Sequence, residues 1–151
     1  LNHSSKIKIS LAEEIKYLEA YTTLENLRFN NRIDIQIQVD KKIQSEGILI
    51  PPMLLQPLVE NTFIHAFSAK SIAPKLHILF KMEGAFLNCE ITDNGKGMAT
   101  TNGDKLNPSK GIELVKERLK LLQKNTDFSL KVSSVKDEGT TIVVKIKLNN
   151  R

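Results

Sequence analysis

The stretch Thr92-Asp93-Asn94-Gly95-Lys96-Gly97-Met98 decides the reading of this chain, taken with Val59-Glu60-Asn61 upstream. Just before it, Leu87, Cys89 and Ile91 alternate with other residues in the period of two that marks a strand. Asp93 therefore stands where a strand ends, with two glycines close behind. Val59-Glu60-Asn61 lies in a run of helical spacing and sets an acid beside an amide. Together the two stretches have the chemistry of a nucleotide site, one part to read a base and the other to hold a metal on phosphates. Neither is decisive alone. Asp-Asn-Gly by itself is foremost a good turn after a strand. Gly95-Lys96-Gly97 changes the balance, because closely spaced glycines let backbone approach a ligand without Cβ clashes.

Composition narrows the classes further. The 151 residues suit one domain with a real core, and 40% hydrophobic with 26% charged residues is ordinary for a globular protein. The net charge of +5 is spread along the chain, and aromatic residues at 5% offer few stacking platforms, so nucleic-acid binding is not the expected role. A single cysteine, Cys89, excludes an internal disulfide framework, fits a reducing compartment and reads as a buried structural thiol. No run approaches the ~20 apolar residues of a membrane span, and no signal peptide is visible. Because the chain begins at Leu1 without methionine, it is expected to be a piece of something longer.

Around the two stretches the elements follow from periodicity. Ser10 and Glu13 have the spacing of a capping box, and Leu11, Ile15, Leu18, Tyr17, Tyr21 and Leu24 are read as the apolar stripe of a helix over 11–28. Ile33 to Asp40 alternates strictly, as a half-buried strand does. Ile50-Pro51-Pro52 breaks the chain, and a second helix is predicted over 53–67, irregular until Pro57. Leu76, Ile78, Phe80 and Met82 share a strand face, and Glu83-Gly84 suggests a hairpin into the strand that ends at Asp93. Residues 99–110 are almost without apolar content and read as a long mobile loop. Gly111 opens a third helix with Ile112, Val115, Leu119 and Leu122 on one stripe; strands over 128–135 and 141–148 follow. The expected fold is an α/β (α+β) two-layer sandwich. Its mixed, mostly antiparallel sheet has about five strands, with three helices on one face and no second domain in residues 1–151.

Leu54-Leu55-Gln56-Pro57-Leu58-Val59-Glu60-Asn61-Thr62-Phe63-Ile64-His65-Ala66 resembles the N box of LytS-type sensor histidine kinases. Asp93-Asn94-Gly95-Lys96-Gly97-Met98 is similar to their G1 box, Ser109-Lys110-Gly111-Ile112 with Arg118-Leu119 to the G2 region, and Gly139-Thr140-Thr141 to the final glycine-threonine motif. The resemblance covers essentially the whole chain, in the right order and spacing. It implies the GHKL ATP-binding fold shared with gyrase B and MutL, with ATP and Mg²⁺ as cofactors.

The residue types suit these roles. An ionised aspartate only accepts hydrogen bonds and the adenine amine donates, so Asp93 can select adenine. By resemblance the Thr140 hydroxyl supports that contact through water; without the family, Thr140 is a β-branched residue starting a strand. Asn61 offers a hard amide oxygen suited to Mg²⁺. Glu60 can act as a general base or fix a metal-bound water. His65 shares a helix face with Asn61 and is a catalytic candidate toward the same phosphates, although a lone histidine more often has a plain structural or surface role. Met98 to Lys110 would form the ATP lid, with Gly97 and Gly111 as hinges, Ile112 in the G2 region, and Lys105 and Lys110 neutralising phosphate unless they are only solvated surface charges. The N-terminus of the third helix favours phosphate as well.

Two positions depart from the family pattern: Glu113 replaces a glycine and Lys116 an asparagine. A carboxylate beside phosphates repels them unless a cation compensates, which predicts weakened lid closure. The implied role is the catalytic domain of a two-component sensor histidine kinase, passing the γ-phosphoryl of Mg-ATP to a histidine outside this chain. Residues 1–29 would lead in from an absent dimerisation and phosphoacceptor region. The implied partners are that histidine, a response regulator and a second copy in a full-length homodimer. The chain itself would be cytoplasmic and without membrane contact, its parent a candidate for anchoring in the cell inner membrane. The alternative is a degenerate nucleotide-binding or interaction module without kinase activity.

Overall fold

The computed structural model describes residues 8–97, 110–122 and 127–148, with some α3 side chains left out. Its elements run β1 (Ile9–Ser10), α1 (Leu11–Leu27), β2 (Asp34–Val39), β3 (Leu49–Ile50), α2 (Gln56–His65), β4 (Lys75–Glu83), β5 (Phe86–Asp93), α3 (Lys110–Leu122), β6 (Phe128–Val135) and β7 (Gly139–Lys147). Five strands form a mixed sheet in the order β2-β4-β5-β7-β6. The pair β2–β4 is parallel and the other three pairs are antiparallel.

Alternation in each strand becomes a continuous apolar face through register. One row across the sheet reads Val39, Phe80, Cys89, Val144, Leu130, and the next reads Ile37, Ile78, Ile91, Ile142, Val132. Phe80, Ile78, Ile91 and Val144 are fully or almost fully buried in one core cluster with residues from all three helices. Burying each such side chain contributes roughly 1.5–3 kcal/mol. This is the two-layer α/β sandwich expected from the pattern, and Cys89 is the buried structural thiol. His77, on the opposite sheet face, meets the Gln38 carboxamide at 2.8 Å.

The helices hold some corrections. Ser10 caps α1, its hydroxyl accepting from the Glu13 N–H at 3.1 Å. The buried stripe of α1 is Leu11, Glu14, Leu18 and Thr22, whereas Tyr17 and Leu24 are 41% and 64% exposed. Positions 11, 14, 18 and 22 repeat at three- and four-residue intervals and so share a face; 17 and 24 lie off it. The second helix is shorter than 53–67. Met53 sits at φ 59°, in the left-handed region, and regular structure begins at Gln56 with Pro57 in its first turn. Two strands had no sequence signature: β1 and β3 pair as a separate two-stranded ribbon that ties the chain ahead of α1 to the chain ahead of α2. Two-residue strands are too short to show a period. The expected loop over 99–110 falls outside the described residues except for Lys110. Among the described residues no helix is long and apolar enough to cross a membrane.

Candidate functional site

One row of the apolar face ends differently from the rest. The register that aligns the core residues also brings Asp93, Thr140 and Ser134 side by side on the three adjacent strands β5, β7 and β6. They make a polar corner on an otherwise hydrophobic surface. Asp93 is 6% exposed, and its carboxylate accepts the Gly95 N–H at 2.8 Å and the Thr140 backbone N–H. Burial pushes its carboxyl above the ordinary range, and the two amide bonds pull it back only in part. An ionised carboxylate has about four acceptor positions, so two remain for an incoming donor. Thr140 and Ser134 exchange a hydroxyl hydrogen bond of 2.8 Å.

Asn94 does something different from its neighbour. Its carboxamide accepts the Lys75 N–H at 2.6 Å and donates to the Ala73 carbonyl at 2.9 Å, fastening the end of β5 to the start of β4. The glycines after it are demanded first by protein packing. A Cβ at Gly95 would meet the Ala66 carbonyl oxygen and lie 2.6 Å from the Ala66 Cβ, at the C-terminal end of α2. Gly97 has φ 71°, and a Cβ there would run into the Val135 carbonyl. Lys96 completes the junction, its N–H donating to the Ala66 carbonyl at 3.1 Å.

Helix α2 supplies the other wall. Asn61, Thr62, His65 and Ala66 face Asp93, Gly97, Thr140 and Ile142 across a cleft of about 30 Å³. That space suits a water or two rather than a base. Asn61 is buried at 8% exposure, and its side chain has no hydrogen-bond partner among the described residues. The i, i+4 relation predicted for Asn61 and His65 holds, with His65 exposed at the edge. The histidine lies in the last turn of its helix.

Glu60 does not join them. It accepts from the Gln56 amide at 2.6 Å, turned toward the Tyr17 and Tyr21 side of α1, where burial raises both phenols and the Glu60 charge adds to the rise. Ile112 lies in the core cluster with Val115 as α3 packs on α2. Glu113 is exposed in the first turn of α3, a position where the helix dipole favours a carboxylate. Lys116 is half-buried. Lys110 and Gly111 open α3, but the Lys110 side chain, like Met98 and Lys105 entirely, lies outside the described residues. Sequence reasoning missed Ser134, Thr62 and Ala66. Ser134 has only the alternation of its strand to mark it, and Thr62 and Ala66 only their spacing from Asn61 and His65.

No family model matches the chain. It is 35% identical over 98 residues to the sensor protein LytS of Bacillus subtilis, a match covering 65% of this chain and 16% of that protein. With the sensor histidine kinase BtsS of Escherichia coli it shares 30% over 139 residues, covering 91% of this chain and 24% of the relative. The chain thus spans a quarter or less of the relatives it matches. The histidine kinase domain of a blue-light activated kinase from Erythrobacter litoralis superposes at a TM-score of 0.65 and 18% identity, over 88% of this chain and 60% of that one. The catalytic domain of the histidine kinase ThkA gives 0.63 and 14%, covering 93% and 95% of the two chains. By sequence the chain is similar to a part of the LytS and BtsS sensor histidine kinases, and its fold is that of histidine kinase catalytic domains.

Proposed function

We propose that this chain is the ATP-binding catalytic domain of a two-component sensor histidine kinase, acting on a histidine outside it. The observation that carries the reading is Asp93, a buried acceptor, facing across one cleft the amide of Asn61, which has no hydrogen-bond partner among the described residues. Asp93 would accept the exocyclic amine of adenine, with Thr140 and Ser134 ordering the hydroxyl network beside it. The apolar side chain of Ile142 would meet the flat base. Asn61 suits Mg²⁺, which would take its remaining ligands from phosphate oxygens and water. When bound, that ion supplies charge neutralisation at the phosphates.

The protein's share of phosphoryl transfer is positioning and electrostatics rather than covalent chemistry. His65, exposed at the edge of the cleft, would meet the polyphosphate. Glu60 could serve as a base only after leaving Gln56. Met98, Gly97, Lys105, Lys110 and Gly111 keep their proposed lid and phosphate roles. Gly95 would act by seating the loop, and Ile112 by anchoring α3. The phosphoacceptor histidine, response regulator, homodimeric parent and inner-membrane anchoring belong to the same proposal. So does a cytoplasmic location.

The test is thermal unfolding with and without Mg-ATP or Mg-ADP. Nucleotide at ~100 times its dissociation constant adds about 2.7 kcal/mol of stability. No shift at millimolar nucleotide would sink the reading. A second reading, a module that binds without transferring, is favoured by Glu113 and Lys116. It predicts the same shift, but no phosphorylation of an acceptor region supplied in the longer protein.

A further inference from the structure

Helix α2 carries Asn61 and His65, yet it has no cap of its own. Its N-cap position is Leu55, which offers no side-chain acceptor. Of the first-turn donors, Pro57 has none, and the Leu58 N–H is satisfied by the Leu55 carbonyl at 3.0 Å. The Leu55 N–H is enclosed, since Leu54 and Leu55 are each 1% exposed. Its partner comes from another helix: a carboxyl oxygen of Glu14, itself 2% exposed, accepts it at 3.3 Å. Acids are almost never so deeply buried without a partner. Burial raises this carboxyl and the Leu55 bond works against that rise.

Much of the other packing between these segments is apolar, Leu11 and Leu18 lying in one core cluster with Leu58 and Val59 and aromatic rings meeting beside them. Tyr21 meets Phe63 edge-on at 6.0 Å, and Phe29, just past α1, lies 6.3 Å from Phe63 and 6.4 Å from Phe67. Apolar contacts are non-directional and tolerate sliding, whereas a hydrogen bond has a fixed distance and angle. We propose that Glu14 is a positioning residue: by capping α2 from α1 it sets the axial register of the two helices and holds Asn61 opposite Asp93. Asn61 lies six residues beyond Leu55, about 9 Å along the same helix, so a shift of the first turn is carried directly to the cleft. The consequence for nucleotide rests on the function proposed above; the cap itself does not. Displacement of the incoming helix α1 would then change the nucleotide site through this bond.

The experiment compares Glu14→Gln, which keeps an acceptor oxygen, with Glu14→Leu, which fills similar space without one. Glu14→Met is the second apolar variant should Glu14→Leu fail to fold. Amide hydrogen exchange at Leu55 to Val59, Mg-ADP affinity and Tm are measured for each. The apolar variant should exchange at least about tenfold faster at Leu55 and bind Mg-ADP more weakly, while Tm reports whether the variant is folded. Glu14→Gln should return both exchange and affinity close to wild type. Unchanged exchange in the apolar variant overturns the proposal, as does a Glu14→Gln protein that behaves like Glu14→Leu. If wild type binds no nucleotide, the proposed function fails, and exchange at Leu55 alone decides the cap.

Discussion

Asp93→Asn separates what Asp93 does for a ligand from what it does for the fold. The carboxylate already accepts two backbone N–H groups, from Gly95 at 2.8 Å and from Thr140. Asparagine has a single acceptor oxygen. Whichever way its amide turns, one NH₂ must face a donor, either a backbone N–H or the adenine amine. A hydrogen bond to a charged group is worth about 1.5–3 kcal/mol, so ATP affinity should fall roughly 10- to 150-fold. Stability should not follow. Because burial raises the Asp93 carboxyl, its ionisation is less favourable folded than unfolded. That contribution to stability is fully present below the ordinary carboxylate range and is lost as pH rises through the raised value. Asparagine carries no charge to bury, so it escapes the desolvation that raises the Asp93 carboxyl. The ligand-free variant should therefore lie within about 1 kcal/mol of wild type, a Tm difference of about 2–4 °C, and its stability should depend less on pH across the carboxylate range. Titration calorimetry with Mg-ADP and thermal unfolding between pH 4 and 7 read the two arms. Affinity within twofold of wild type would refute the ligand role. A loss of more than about 3 kcal/mol in the ligand-free protein would show that the carboxylate is there chiefly to hold the Gly95 loop.

Three further substitutions or probes test other parts of the site and core. Asn61→Ala should weaken Mg-ATP more than metal-free ATP, because Asn61 is the proposed Mg²⁺ ligand and its side chain has no hydrogen-bond partner among the described residues; equal losses in a calorimetric comparison would argue against a metal ligand. Gly95→Ala forces the Ala66 backbone and its Cβ, 2.6 Å from the new carbon, to move. The expected destabilisation is about 1–3 kcal/mol, and a denaturant midpoint equal to wild type would contradict the packing. Cys89 is 1% exposed and its thiol is pushed well up by burial, so it should resist thiol reagents while the protein is folded and react once it is denatured. Prompt labelling at neutral pH in buffer would show that the core around it opens.

The chain's local periods carried most of the architecture. Alternation in 76–82 and 87–91 named the residues that now form the central rows, and Gly84, at φ 60°, turns the hairpin between them. The placement of Asp93 at a strand end was equally legible, because a period of two and a following Asn-Gly are properties of neighbouring residues. The i, i+4 geometry of Asn61 and His65 was legible for the same reason, since helical spacing fixes which side chains share a face. Pairing was not. That β2 lies parallel to β4, or that Ser134 stands beside Thr140, depends on long-range register that no segment encodes on its own. Nor could adjacency in sequence tell Glu60 from Asn61: one helical step, about 100°, sends the first toward Gln56 and α1 and the second into the cleft. Nothing in the local pattern singled out Glu14, which packing encloses over an uncapped helix. The sequence by itself determined which residues share a face of each element. Tertiary structure decided which faces meet, because burial and hydrogen-bond satisfaction are settled only when distant segments close against one another.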